Sequence, residues 1–107
     1  MTTKANNHSI DALEATKNIG KKMTFGGLIR SLRKSDNISQ IELAKKLNVS
    51  KQFLSDIEHN RKEVGISFAK KVSSVLGYSI EPLLELLIKQ QLKRQRLNYI
   101  VEIKKAS

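Results

Sequence analysis

A run of polar and basic side chains between Ser50 and Ser55 has the chemistry to contact the edges of nucleobases. Lys51 can donate hydrogen bonds to O6 or N7 of guanine, and Gln52 can pair with N6 and N7 of adenine. Phe53 can contact thymine methyl groups, and the Ser55 hydroxyl can donate or accept. A DNA major groove would explain why such residues are exposed together. We therefore predict that Lys51, Gln52, Phe53 and Ser55 contact bases.

Two short helices joined by a tight turn are predicted to present these side chains. The first begins at Ser39, where the spacing of Ser39 and Glu42 forms a capping box. Asn48 suits a left-handed position in the turn. Ser50 is expected to cap the second helix, and Asn60 to end it with another left-handed residue.

Three more helices complete the predicted domain. Thr24 can cap a helix that runs to about Lys34, although two glycines in its first turn lower its helix propensity. A fourth helix is predicted to begin at Gly65 and end at Gly77, and Ser79 is predicted to cap a fifth. Because apolar residues recur at helical spacing in these segments, we expect an all-α fold with a compact five-helix core.

The chain divides into three predicted parts. Residues 1–22 are polar without a sustained apolar period, which predicts a flexible tail, with a weak helix over residues 9–18 as the alternative. Residues 23–88 hold the five-helix domain. Residues 89–107 form a basic extension that is a candidate dimerisation or partner-binding element.

The end of this extension supports two interpretations equally well. Tyr99, Val101 and Ile103 recur at a period of two, which is typical of a strand. The alternative is a continuation of the fifth helix through Leu97. Because a lone strand is not stable, the strand interpretation implies pairing with a second subunit.

The charge of the chain favours an anionic partner. Its 107 residues include 20 Lys and Arg against 10 Asp and Glu, which gives a formal net charge of +10. An excess of this size points to nucleic acid or to an anionic membrane surface. Together with the Ser50 to Ser55 run, it favours nucleic acid over a membrane.

Several other classes of function are not expected. Cysteine is absent and the two histidines lie far apart in the sequence, so no metal site or cofactor is predicted. No catalytic set and no phosphate-binding loop is found, which predicts that the protein is not an enzyme. The longest apolar run, Leu83 to Ile88, is too short to span a bilayer, and no secretory signal is seen, so we expect a cytoplasmic protein.

The pattern S-Q-x-x-L-A-x-x-x-x-V-S-x-x-x-L-S-x-x-E runs from Ser39 to Glu58, and G-x-S-x-x-x-L-L follows from Gly77 to Leu84. In this register the chain resembles the lambda-repressor-like helix-turn-helix family, also called the Cro/repressor or XRE type. The resemblance covers the predicted five-helix domain and leaves out both outer segments. It implies double-stranded DNA as a partner, with the second helix of the pair in the major groove.

The resemblance also implies roles for residues around the pair of helices. The start of the first helix would grip a phosphate, a basic residue before it would approach a phosphate and pair with the acid at the end of the second helix, and basic residues beyond would meet the DNA backbone. The predicted phosphate contacts are Arg33, Gln40, Ser50, Arg61 and Lys62, and the predicted ion pair joins Arg33 to Glu58.

Two residues of the second helix allow alternatives. Phe53 replaces the small or polar residue that is usual in the family, and partial packing against the first helix of the domain is as well supported as base contact. Asp56 could accept a hydrogen bond from cytosine N4, but a solvent-facing or lysine-paired position is favoured.

Two functions follow from these expectations. The preferred one is a homodimeric transcriptional repressor that binds a palindromic operator, including that of its own gene. The alternative is an antitoxin, which would neutralise a toxin protein through an outer segment and also repress its own operon.

Overall fold

The computed structural model describes residues 23–106, and within them it contains five α-helices and no β-strand. These helices are α1 (Phe25–Ser35), α2 (Gln40–Leu47), α3 (Lys51–Glu58), α4 (Ile66–Leu76) and α5 (Ile80–Arg94). None of them is long and apolar enough to cross a membrane. The tail over residues 1–22, with its alternative helix, lies outside the described residues. The predicted all-α, five-helix fold is confirmed.

Hydroxyl side chains begin three of the helices. The Oγ atoms of Thr24, Ser39 and Ser50 each accept a hydrogen bond of 3.0 Å from the backbone N–H three residues later. Each cap satisfies one of the N–H groups that a helix start leaves without a partner. Ser79 occupies the capping position of α5, but its side chain makes no capping hydrogen bond, so that part of the prediction is wrong.

A residue in the left-handed conformation follows every described helix. The φ angles of these residues lie between +58° and +76°, at Asn37, Asn48, Asn60, Gly77 and Arg96. At Asn48, the N–H of Val49 donates to Ala44 O at 2.9 Å, which closes the end of α2 and turns the chain towards α3. The left-handed positions predicted for Asn48 and Asn60 are confirmed.

The hydrophobic core joins all five helices. Helix α1 contacts α3, α4 and α5, and the α2–α3 pair is fixed because α2 also contacts α4. The largest fully buried side chains are Phe25, Leu28, Ile29, Leu43, Leu47, Leu54, Ile57, Val72, Leu83 and Leu87. The inward faces of α2 and α3 are therefore immobilised, which leaves their outer faces as a rigid surface.

Gly26 allows α1 to lie directly against the end of α3. A Cβ atom at this position would fall well inside van der Waals contact with the carbonyl oxygen of Ile57. The Gly26 N–H donates to Asn60 Oδ1 at 3.1 Å, and Asn60 Nδ2 donates to Thr24 Oγ1 at 2.8 Å. The glycine that lowers the helix propensity of α1 is thus required by the packing of α1 on α3.

Beyond Arg94, the C-terminal extension is neither helix nor strand in the described residues. Helix α5 runs past the predicted domain boundary at residue 88 but stops at Arg94, so the helical continuation through Leu97 is wrong. The segment then turns back along α5, and the Ile103 N–H donates to Glu85 Oε2 at 3.1 Å. Val101 and Ile103 are half-buried whereas Tyr99 is 69% exposed, so only two of the three residues in the period of two pack on one side. Pairing with a second subunit stays a prediction.

Candidate DNA-binding surface

The start of α3 presents a run of exposed polar side chains. Ser50, Lys51 and Gln52 are all exposed, and the first turn of α3 carries no acidic residue. The free N–H groups and the positive dipole end of a helix attract anions, so phosphates are favoured beside this turn. The structure therefore brings the predicted base-contacting residues Lys51 and Gln52 and the predicted phosphate contact Ser50 onto one surface.

Phe53 lies beside this surface and packs sideways. It is half-buried, and its ring meets the edge of Phe68 in α4, with centroids 6.1 Å apart and an interplanar angle of 69°. Lys62 Nζ stands 5.3 Å from the centroid of the Phe53 ring, within the range of a cation–π interaction. The ring partner of Phe53 lies in α4, and packing of Phe53 against the first helix stays a prediction. The contact with Phe68 argues against a base contact by Phe53. Ser55 is half-buried on the same helix, and its base contact stays a prediction.

The inner face of α3 ends in a buried ion pair. Arg33 Nε donates to Glu58 Oε2 at 2.8 Å and Nη2 donates to Glu58 Oε1 at 3.0 Å, with the side chains 9% and 0% exposed. Arg33 Nη1 donates to Ile38 O at 2.9 Å. The ion pair expected between Arg33 and Glu58 is present. Because Arg33 is buried and engaged on both sides of its guanidinium, its burial argues against the phosphate contact predicted for it.

Gln40 links this ion pair to the start of α2. Its Nε2 donates to Glu58 Oε1 at 3.0 Å, and the residue is half-buried. One carboxylate thus holds α1 through Arg33 and α2 through Gln40, which sets the angle between the two helices of the motif. The phosphate contact of Gln40 stays a prediction.

A second carboxylate, Asp56, occupies the outer face of the same helix. Gln52 Nε2 donates to Asp56 Oδ1 at 3.0 Å, and Arg61 approaches the same oxygen with Nε at 3.1 Å and Nη2 at 3.0 Å. The hydrogen bond from Arg61 lowers the pKa of Asp56 from its ordinary value, and the hydrogen bond from Gln52 and the charge of Lys62 act in the same direction. Asp56 pairs with an arginine rather than with the lysine favoured from the sequence.

Sequence spacing accounts for one of the two side-chain contacts of Asp56. Gln52 and Asp56 are four residues apart, so the helix itself brings them together, and this contact could have been predicted. Arg61 returns to Asp56 only because Asn60 is left-handed and the Arg61 N–H donates to Asp56 O at 2.8 Å. Arg61 and Lys62 are both exposed beside the end of α3, where phosphate contact was predicted.

Two basic residues outside the motif hold the surface in place. Lys71 Nζ donates to Leu47 O at 3.0 Å and so caps the end of α2 from α4. Arg94 Nη1 contacts Glu63 Oε1 at 3.3 Å and Nη2 donates to Asn60 O at 3.5 Å, which ties the loop after α3 to the end of α5. Sequence spacing contains no sign of these contacts, because each joins segments that are far apart in the sequence.

The α2–turn–α3 unit, supported by α1 and α4 and open at the start of α3, is a helix-turn-helix, a DNA-binding class of fold. A family model described as Helix-turn-helix matches residues 29–83, which is more than half of the chain. The chain belongs to the lambda-repressor-like, XRE-type helix-turn-helix family, as its sequence pattern predicted. Members of this family are DNA-binding regulators and not enzymes.

Three curated relatives illustrate the range of this similarity. The chain is 35% identical over 71 residues to the immunity repressor protein of Bacillus phage phi105, covering 64% of this chain and 49% of that protein. It is 43% identical over 62 residues to the HTH-type transcriptional regulator SinR of Bacillus subtilis strain 168, covering 57% and 56%. It is 34% identical over 71 residues to the control protein C.BamHI of Bacillus amyloliquefaciens, covering 65% and 85%. The chain spans about half the length of the first two proteins.

A solved structure shares the fold. The crystal structure of the clp gene regulator ClgR from C. glutamicum matches with a TM-score of 0.54 and 32% sequence identity, over 62% of this chain and 86% of that one. The similarity supports the same architecture for the two proteins.

Proposed function

We propose that the protein is a homodimeric transcriptional repressor that binds a palindromic operator, with its own promoter among the targets. The observation that carries the proposal is the exposed first turn of α3, with Lys51 and Gln52 held outwards by a helix whose other face is buried. Relatives are named as a repressor and as transcriptional regulators, which supports regulation of transcription for this chain. None of the three curated relatives described above is named as an antitoxin, so the antitoxin alternative gains no support from them.

Base contacts and phosphate contacts are divided between two parts of the surface. In the proposed complex Lys51, Gln52 and Ser55 contact base edges from the first turns of α3, and Phe53 supports them from the side. Phosphates are gripped on either side of this turn by Ser50, Gln40, Arg61 and Lys62. With several phosphate contacts in each subunit, affinity should fall by about 10³-fold or more between 50 and 200 mM salt.

Dimerisation follows from the small size of the domain. One domain of this kind covers little DNA, so two copies on half-sites roughly 34 Å apart are needed for useful specificity. The extension supplies the dimer contact in this proposal. Leu97, Tyr99 and Ile100 are 46%, 69% and 97% exposed in the non-helical segment that turns back along α5. A second copy of the segment would cover these apolar side chains.

The base contacts are tested by two variants that each remove one positive charge. A preferred duplex is first selected from a randomised pool with the wild-type protein. Lys51→Ala with Gln52→Ala should lose discrimination among variants of that duplex, since each good side chain–base pair is worth about 1–3 kcal/mol. Lys62→Ala should weaken binding to all duplexes alike and lower the salt slope by about one.

Fluorescence anisotropy titrations at several salt concentrations measure both effects. If the wild-type protein selects no sequence, the proposed function is wrong. If the two variants lose affinity equally for every duplex, the assignment of α3 as the recognition helix is wrong.

The dimer contact is tested with two exposed isoleucines. Sedimentation of the wild-type protein should give twice the monomer mass of 12.1 kDa. Ile100→Lys should shift the protein to monomer, because a charge cannot be buried at an apolar contact without a partner. Ile41→Lys is the matched control on α2, where the side chain is 54% exposed, and should leave the dimer intact. A dimer that survives Ile100→Lys would place the contact elsewhere.

A further inference from the structure

The contact between Gln52 and Asp56 restricts how Gln52 can present its amide. Gln52 Nε2 donates to Asp56 Oδ1 at 3.0 Å across one turn of α3. An ionised carboxylate only accepts hydrogen bonds, so it attracts the NH₂ end of the amide and repels the carbonyl end. The two orientations of the Gln52 amide therefore differ in energy, and the one with Nε2 towards Asp56 is favoured.

In the favoured orientation, the Gln52 amide keeps its carbonyl oxygen and one N–H available to adenine. A bidentate contact with adenine needs the Gln52 carbonyl to accept from N6 and one N–H to donate to N7. The NH₂ group has a second N–H, and this is the one that Asp56 can take without competing with the base. Guanine presents acceptors at both O6 and N7. Its O6 would therefore face the carbonyl oxygen of the held Gln52 amide, and two acceptors that face each other repel. A rotated amide could instead donate to guanine O6.

Arg61 holds the carboxylate in place from the other side. Its Nη2 lies 3.0 Å from Asp56 Oδ1, and its backbone N–H donates to Asp56 O at 2.8 Å. The left-handed Asn60 makes this return possible, and Asn60 is itself tied to α1 through Gly26. The chain of contacts therefore runs from a rigid part of the core to the exposed amide of Gln52.

We propose that Asp56, held by Arg61, is a specificity-determining positioning residue that orients the Gln52 amide to prefer adenine over guanine at one operator position. The proposal rests on the proposed function, since it concerns how the same surface distinguishes base pairs. It assigns Asp56 no base contact, and it adds to Arg61 a part in specificity beside its phosphate contact.

The test measures the preference for A·T over G·C at the operator position where Gln52→Ala abolishes that preference. Asp56→Ala removes the acceptor and should reduce the preference by about fivefold or more, out of the roughly 5- to 150-fold that a bidentate contact provides. Asp56→Asn keeps an acceptor oxygen and should retain most of the preference. Glu63→Ala is the charge-matched control, because Glu63 is an exposed acid beyond α3 that pairs with Arg94.

A double-mutant cycle separates positioning from general electrostatics. Asp56→Ala and Glu63→Ala should both raise affinity for all duplexes, because each removes a negative charge near the DNA. In the Gln52→Ala background, Asp56→Ala should cause no further change in base preference. An unchanged preference in Asp56→Ala, an equal change in Glu63→Ala, or the same change without Gln52 would each overturn the proposal. A wild-type protein that selects no duplex would instead show that the proposed function itself is wrong.

Discussion

Helix α3 carries two carboxylates, Asp56 and Glu58, two residues apart, and each is held by one arginine and one glutamine. Glu58 is 3% exposed and binds Arg33 and Gln40 from α1 and α2. Asp56 is partly exposed and binds Arg61 and Gln52 from its own helix and the turn that follows. The same chemistry serves two purposes, because burial makes the first set part of the core and exposure leaves the second set available to a ligand.

The largest effect is expected when the buried set is broken. Glu58→Ala leaves Arg33 as a buried charge without its partner and should lower the free energy of unfolding by about 3–5 kcal/mol. Urea denaturation followed by circular dichroism measures the loss. Replacing both partners, Arg33→Met with Glu58→Leu, should cost less than Glu58→Ala alone, because no unpaired charge remains. If the double replacement lowers the free energy of unfolding more than Glu58→Ala does, the ion pair stabilises the fold more than its burial implies.

An intermediate effect is expected where α1 meets the end of α3. Gly26→Ala should destabilise the protein by about 1–3 kcal/mol, because the added methyl group forces α1 away from the Ile57 carbonyl. Gly27→Ala is the neighbouring control. Its Cβ would meet Thr24 Oγ1 at 3.0 Å and Met23 Sδ at 3.4 Å, contacts that a side chain can relax. The melting temperature of Gly27→Ala should therefore be well above that of Gly26→Ala, and the reverse order would contradict the packing argument.

The local signals of the sequence predicted most of the fold. Hydroxyl caps at Thr24, Ser39 and Ser50 and left-handed residues at Asn48 and Asn60 act within a few residues, so the helix boundaries follow from neighbours in the chain. Spacing also places the start of α3 on the surface, which predicts that Lys51 and Gln52 are exposed.

Contacts between distant segments could not be predicted in the same way. The family resemblance predicts the ion pair of Arg33 with Glu58, but the burial of Arg33 depends on how α1 packs on α3. Phe53 packs its ring against Phe68 of α4, and no spacing within α3 contains that information. Gly26 lowers helix propensity and yet is required, since only the tertiary fold brings Ile57 next to it.

The smallest effect is expected from the exposed carboxylate and should depend on pH. The pKa of Asp56 is lower in the folded protein than in the unfolded chain, chiefly because of the hydrogen bond from Arg61. Its contribution to stability is therefore complete above the unfolded value of about 3.9 and disappears as the pH falls through the folded value.

Asp56→Asn should be slightly less stable than the wild-type protein at neutral pH and should match it in strong acid. Paired urea titrations between neutral and acidic pH measure this difference. A difference that grows as the pH falls would have the wrong sign for a lowered pKa.

The exposed first turn of α3 has an evolutionary consequence. Lys51 and Gln52 lie outside the hydrophobic core, and the helix that carries them is anchored at its far end by Glu58 and Asn60. In the proposed complex, a substitution at either position would change the preferred operator without a loss of folding. The proposed regulator and its operator would therefore diverge in single steps, one residue against one base pair, while the protein stays folded at every intermediate.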